Sequence, residues 1–264
     1  MFAILLMSTL LADFPAASTN SESKYPQVHV NGLSCFDSGD LESDNGDSKK
    51  EFKLEFDGKE NYVVIPKLRY NGTTPITLEA LVTPFQRDVE PARSCILGNV
   101  ELSGLAIHYK RSAWMFHVND GRNGNGGYAT SASDGAPHLN TQVHVAGVFD
   151  GTNVRIYIDG KRQRFDDDVM LPHKASMFDF MIGADPDRQG KPHQFFKGTI
   201  DEVRISKVAR YLDNFETAKD RFITDADTLV LYHFDDGEGE VAKDSSGNKN
   251  DGQVHGAKWI KETK

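Results

Sequence analysis

The chain has 264 residues and a formal net charge of −9, with 39 acidic side chains against 30 basic ones. That length can bury one substantial core, and a β-rich sandwich of this size is commonly a single domain. The acidic balance argues against a nucleic-acid partner: the densest basic cluster, GKRQRF at 160–165, runs straight into Asp166, Asp167 and Asp168.

The N-terminus reads MFAILLMSTLLADFPAASTN. Its apolar stretch, Phe2 to Ala12, is too short to span a bilayer and has the length of a signal-peptide core, with Ala16-Ala17-Ser18 as a weak cleavage site. No Lys or Arg precedes it. Residues 1–18 are therefore read as a signal peptide with a misassigned or shortened start, and a membrane-anchor remnant or a disordered tail is the alternative. The mature chain carries no membrane span on this reading. Residues 19–50 have linker composition, acidic and Ser/Gly-rich toward FDSGDLESDNGDSKK. That stretch fails as a calcium loop, lacking Gly at the sixth and Glu at the twelfth position.

Two cysteines occur, Cys35 and Cys95. An exported chain permits a disulfide between them, and two separate buried thiols are the alternative. Neither lies in a C-x-x-C pair, so a thiol redox site and a zinc ribbon lack support.

From residue 51 to 262 short strands alternate with turns. ITLEALV places Ile76, Leu78, Ala80 and Val82 on one face and Thr77, Glu79 and Leu81 on the other. GLAIHY and SAWMFHV read as a hairpin, with Leu105, Ile107 and Tyr109 on one arm and Trp114, Phe116 and Val118 on the other. Trp114 shares its face with Phe116 and Val118, which makes it a core residue and not a sugar platform. QVHVAGVFDGTNVRIYIDGKR gives two strands around Asp150-Gly151-Thr152-Asn153, followed by a tight turn at Asp159-Gly160. One short helix is expected at NFETAKDRF, with Asn214 as its cap. Neither βαβ alternation nor a long repeat is present, so the pattern is that of an all-β sandwich or barrel.

The segments LEFDGKENYVVIP, ITLEALVTPF, HVAGVFDGTNVRIYIDGK, FMIGADPDRQGKPHQFFKGTIDEVRISKVARY and LVLYHFDDGEGEVAKDSSGNKNDGQVHGAKW resemble the concanavalin A-like lectin/glucanase superfamily. More narrowly they are similar to its laminin-G-like branch, common in exported and surface proteins of bacteria. The resemblance covers roughly residues 52–260. It implies an antiparallel jelly-roll β-sandwich of two sheets, with binding of carbohydrate or protein at the concave face or loop rim, sometimes through calcium. Leu81 stands where family members often carry Trp, which weakens an aromatic platform there. The LYHFDDGEGEVAKDSSGN segment, which often opens such domains, closes this one, making the first and last strands neighbours.

The resemblance also implies glycosidases among the relatives. A retaining glycosidase needs two carboxyl groups about 5–5.5 Å apart on one face. The glucanases' Glu-x-Asp-x-x-Glu pattern has no match here, and Asp201 and Glu202 are consecutive, so in an extended strand they point to opposite faces. Nine His are scattered without ligand spacing, and His138, His144, His173 and His193 read as surface or loop residues. DGRNGNGGY reads as a hairpin loop, not a phosphate cradle, and G-x-S-x-G is absent.

The apolar positions Ile200, Val203 and Ile205 share a face only if a one-residue bulge falls at Asp201-Glu202. Asp201 then pins the strand through backbone N–H groups while Glu202 pairs with a surface cation. The alternative is a calcium seat built from Asp201 and Asp244, the latter in the DSSGNKND turn. The sequence thus points to an exported, non-enzymatic binding or adhesion module for a glycan or an extracellular protein. It would be secreted, periplasmic or at the cell surface. A glycoside hydrolase-related enzyme and a ligand-free spacer are the rivals.

Overall fold

Runs of β-branched and aromatic residues, cut by turns rich in Gly, Asp and Asn, fold into strands in a computed structural model of the chain. It describes residues 51–262 except 73, 87–92, 111, 121–126, 164–166, 169–174 and 219–220, with backbone alone at 167 and 168. The expected signal peptide, linker and Cys35 lie outside the described residues, as does His173. The described residues belong to one unit, Ser48–Lys264.

The strands are β1 (Phe52–Asp57), β2 (Tyr62–Ile65), β3 (Ile76–Pro84), β4 (Ser94–Gly98), β5 (Leu105–Tyr109), β6 (Trp114–Asn119) and β7 (Tyr128–Ala132). They continue with β8 (Val143–Phe149), β9 (Asn153–Ile158), β10 (Lys161–Arg162), β11 (Asp167–Asp168), β12 (Phe180–Ile182), β13 (Asp185–Pro186) and β14 (Pro192–His193). The last are β15 (Lys197–Ser206), β16 (Thr228–Tyr232), β17 (Val241–Ala242), β18 (Gly252–His255) and β19 (Lys258–Lys261). Among the described residues there is no helix, and none is long and apolar enough to cross a membrane. The helix expected at NFETAKDRF is therefore corrected. Asn214 instead accepts the Arg162 N–H at 2.8 Å, holding that segment against the turn before β10.

Two large antiparallel sheets carry the fold. One runs β10-β9-β8-β3-β15-β1-β19, with β11 on β9 and β16 on β15; the other runs β17-β18-β2-β12-β4-β5-β6-β7. β15 is the spine of the first: β3 lies along one side, while β1 and β16 share the other. The expected neighbours meet, Phe52 of β1 opposite Lys261 of β19.

The alternating apolar positions become the core between the sheets. Leu78, Ala80 and Val82 of β3, Val145 of β8, Ile156 of β9 and Ile200, Val203 and Ile205 of β15 face Ile107 of β5 and Phe116 and Val118 of β6. All are fully buried. Burying a side chain of this size stabilises by about 1.5–3 kcal/mol, which fixes which face of each strand turns inward. The sheets approach so closely that a Cβ on Gly147 would stand 2.3 Å from the Phe116 ring.

The expected bulge is present. On β3 the register passes from Ile200↔Val82 to Glu202↔Leu81, stepping over Asp201, so Val203 and Ile205 return to the core face. The Asp159-Gly160 turn is also as expected, with φ of 48° and 73°. Glycine is required there twice over, since a Cβ on Gly160 would lie 2.0 Å from the Phe215 carbonyl oxygen.

Candidate functional site

The strand ends around this turn open a pocket between the two sheets. Trp114 begins β6, Val143 begins β8, Ile158 ends β9, and the segment from Ser133 to His138 follows β7. These elements enclose about 320 Å³ with an apolar floor of Trp114, Val143 and Ile158. Asp134, His138, Thr141, Gln142, Asp159, Lys161 and Gln163 line the rim. The volume falls at the low end of the range of about 300–1,000 Å³ for small-molecule clefts.

The pocket wall is held by the backbone. The Trp114 N–H donates to Ser133 Oγ at 2.9 Å, and the Ser133 N–H returns to the Trp114 carbonyl at 2.9 Å. The Ser133 hydroxyl donates onward to the Gly135 carbonyl at 3.0 Å. On the facing side the His144 N–H donates to Asp159 Oδ1 at 2.9 Å. The Trp114 indole is 3% exposed and packs on Tyr109 with ring centroids 5.3 Å apart. It is thus a core residue that only borders the pocket, as its strand face required. Such a site offers an apolar floor with donors and acceptors at its mouth.

The residues singled out at the corner lie elsewhere. Asp201 is buried, and Gln142 Nε2 donates to its Oδ2 at 2.9 Å. Asp244 sits inside its own turn: Oδ1 accepts the N–H groups of Leu231 and Ser246 at 3.1 and 2.9 Å. Its Oδ2 accepts the Ser246 hydroxyl at 2.8 Å and the Asn250 N–H at 2.9 Å.

Glu202 corrects the expectation of a surface ion pair. It is fully buried, accepts His233 Nδ1 at 2.8 Å and receives the Phe222 N–H at 3.2 Å. The reason is a cover over the outward face of the first sheet, where Phe222 packs on Leu81 and Leu231 and where Tyr211 and Phe215 pack on Tyr157. Under the same cover Glu79 accepts Arg204 Nε at 2.7 Å, His144 Nε2 at 3.1 Å and the Tyr211 hydroxyl at 2.8 Å. Burial works to raise the Glu79 pKa, but the His144 hydrogen bond and the Arg204 charge prevail and hold it below the usual carboxylate value. His144 is thereby buried rather than at the surface, while His138 is exposed and His193 half-buried.

The outward face of the second sheet holds a group that spacing did not reveal. Cys95 of β4, His108 of β5 and Asp185 of β13 bring their ligand atoms within 4.8 Å of one another, and among the described residues Asp201 and Asp244 join no such group of three. Burial pushes the Asp185 carboxyl well above its ordinary value. Burial, with the neighbouring Asp185 charge, pushes the Cys95 thiol up as well. Burial and the nearby His117 and Arg93 push His108 well below its ordinary value. His117 is pushed down to about 3 by burial and by the Arg93 guanidinium. The one legible sign was the alternation along β5 and β6, which puts His108 and His117 on the face opposite Ile107 and Phe116.

A family profile described as the concanavalin A-like lectin/glucanases superfamily (Laminin_G_3) matches residues 57–214. No curated protein matches the chain. Among solved structures the chain is similar to a Bacteroides ovatus protein proposed to bind carbohydrate. They share 17% identity at a TM-score of 0.61, over 81% of this chain and 60% of that one. It therefore spans less than two thirds of that protein. A SAP-like pentraxin from Limulus polyphemus matches at 12% identity and a TM-score of 0.45, over 61% of this chain and 78% of that one. Domains LG4-5 of the mouse laminin α1 chain match at 14% identity and a TM-score of 0.42, over 62% and 44%. At 17% identity the likeness to the Bacteroides ovatus protein is one of fold. With the profile matching more than half of the residues and the two-sheet sandwich in place, the chain belongs to the concanavalin A-like lectin/glucanases superfamily, in its laminin-G-like branch.

Proposed function

We propose that this protein is an exported, non-catalytic binding module that takes carbohydrate in the pocket between the two sheets. The observation that carries the reading is the pocket's composition: an indole and two aliphatic side chains beneath a ring of side-chain amide, hydroxyl, carboxylate, imidazole and ammonium groups. A sugar presents the same pairing, an apolar C–H face edged by hydroxyls. The apolar stretch at the N-terminus supports export, and the family supports binding as the general role. A surface protein that inserts a polar side chain into the pocket is the second ligand class the rim accommodates.

Glycan-array binding paired with a hydrolysis assay on the same sugars tests this. Binding without turnover is expected. His138→Ala and Lys161→Ala, both at exposed rim positions, should each weaken binding by roughly tenfold, about 1.4 kcal/mol, with unchanged melting. Turnover of any bound sugar would return the chain to the glycosidases, and absence of both binding and turnover would favour a spacer.

A further inference from the structure

Three ligand chemistries meet on the outward face of the second sheet. Cys95 and His108 stand opposite one another in the β4–β5 pairing, so both side chains rise from the same face. Asp185 reaches them from β13, which is tied back through His193: its Nδ1 lies 2.7 Å from the Asp185 carbonyl. Cys95, His108 and Asp185 are each at most 1% exposed.

The three ligand atoms face one another across a short gap. His108 Nε2 lies 3.8 Å from Asp185 Oδ2, too far for a hydrogen bond, and neither ring nitrogen of His108 has a hydrogen-bond partner among the described residues. The second carboxylate oxygen is occupied, since the Val100 N–H donates to Asp185 Oδ1 at 2.9 Å. That bond fixes the carboxylate with Oδ2 on the imidazole side, the arrangement outer-shell partners give to metal ligands. His117 is not a fourth ligand, because its nitrogens are engaged by Thr130 Oγ1 at 2.8 Å and by Arg93 at 3.3 Å.

We propose that Cys95, His108 and Asp185 form a buried zinc site, with a water carried in by the metal as the fourth ligand. Thiolate and imidazole select zinc over calcium or magnesium, which prefer all-oxygen surroundings. One thiolate and one carboxylate cancel the two charges of Zn²⁺, so the loaded site buries no net charge. Loading expels the thiol proton to solvent, and with it any proton held by the carboxyl. Tetrahedral zinc with bonds of about 2.0–2.3 Å needs ligand atoms roughly 3.3–3.7 Å apart, so His108 and Asp185, at 3.8 Å, stand close to that spacing, and no separation in the trio has to shrink by more than about 1 Å. The same trio would serve a cysteine nucleophile only if substrate reached the sulfur, and Cys95 is 0% exposed.

The test uses Co²⁺ as the probe, added while the full chain refolds, since the folded site is closed. The expected result is a thiolate-to-cobalt charge-transfer band with the strong visible bands of four-coordinate cobalt, saturating at one equivalent and abolished by Zn²⁺. The bands should persist in Cys35→Ser and vanish in Cys95→Ser, and Asp185→Asn should lower cobalt affinity by at least roughly 10-fold. Should Cys95→Ser fail to fold, wild type and Cys35→Ser decide between them. Wild type refolded without the bands, or bands lost in Cys35→Ser, would overturn the site.

Discussion

The side-chain amide of Gln142, on the pocket rim, donates to Asp201 at 2.9 Å and so joins the mouth of the candidate site to the bulge of β15. Asp201→Asn keeps one acceptor oxygen and removes the charge, and should lower stability by about 1–2 kcal/mol in denaturant melts. It should also loosen Gln142 and weaken glycan binding. The calcium seat expected at Asp201 and Asp244 gives a different outcome. Asp244 already receives four donors from its own chain, and on that footing calcium added to the desalted protein should leave the melting temperature unchanged. A calcium-dependent rise that Asp201→Asn abolishes would instead establish the seat.

Glu202 cannot be treated as a surface residue. Its carboxylate accepts His233 and the Phe222 N–H in a fully buried position. Glu202→Gln should cost about 1–3 kcal/mol, read from the shift in denaturant midpoint, because an amide replaces a charged acceptor there. A silent substitution would mean that the cover over this face contributes no fixed contact.

Glu79 sets an acid limit. Its folded pKa is depressed, so the stability it contributes is complete above the unfolded value of about 4.5 and is lost as pH falls through the folded value. Unfolding followed from pH 6 down to pH 2, as a titration of roughly that span, should show this loss in wild type. Glu79→Gln should flatten that part of the profile. It should also cost about 3–5 kcal/mol at neutral pH, since the Arg204 guanidinium beneath the cover loses its carboxylate. An unchanged acid profile in the variant would remove Glu79 from this role.

Trp114 combines two duties. It packs in the core on Tyr109 and floors the pocket, so Trp114→Ala should cost about 3–5 kcal/mol. Calorimetry would check it: unchanged melting with lost glycan binding would make the indole a ligand platform alone.

Much of this was written in local periodicity. Leu78, Ala80 and Val82 on one face, the Asp159-Gly160 turn and the odd spacing of Ile200 and Val203 each follow from a period of two, and each stands as read. The period also placed Glu79, His144 and Glu202 correctly on the outward face. It failed to say that this face is buried, because the cover is irregular chain whose Tyr211, Phe215 and Phe222 carry no strand period. Tyr211 and Phe215, four apart, do stack with centroids 3.5 Å apart, a spacing easily mistaken for one face of a helix. Cys95, His108 and Asp185 escaped for another reason: two are cross-strand partners and the third arrives from a distant hairpin. Composition names such residues without saying that they meet.

The antiparallel pairing of β1 with β19 has a mechanical meaning. Phe52 faces Lys261, and the Glu262 N–H still donates to the Glu51 carbonyl at 2.9 Å, so both strands leave the sandwich side by side at the same edge. Tension applied through Glu51 and Glu262 pulls perpendicular to these hydrogen bonds' strands and opens them one after another, like a zipper. Shear, which would load all of them at once, does not arise. Under load from both flanks, the edge strand β19 peels from β1 first, while β1 stays paired with β15 through Leu54 and its neighbours. With the two ends only about 5 Å apart, the sandwich can hang to one side of a stretched chain without lengthening the line of force.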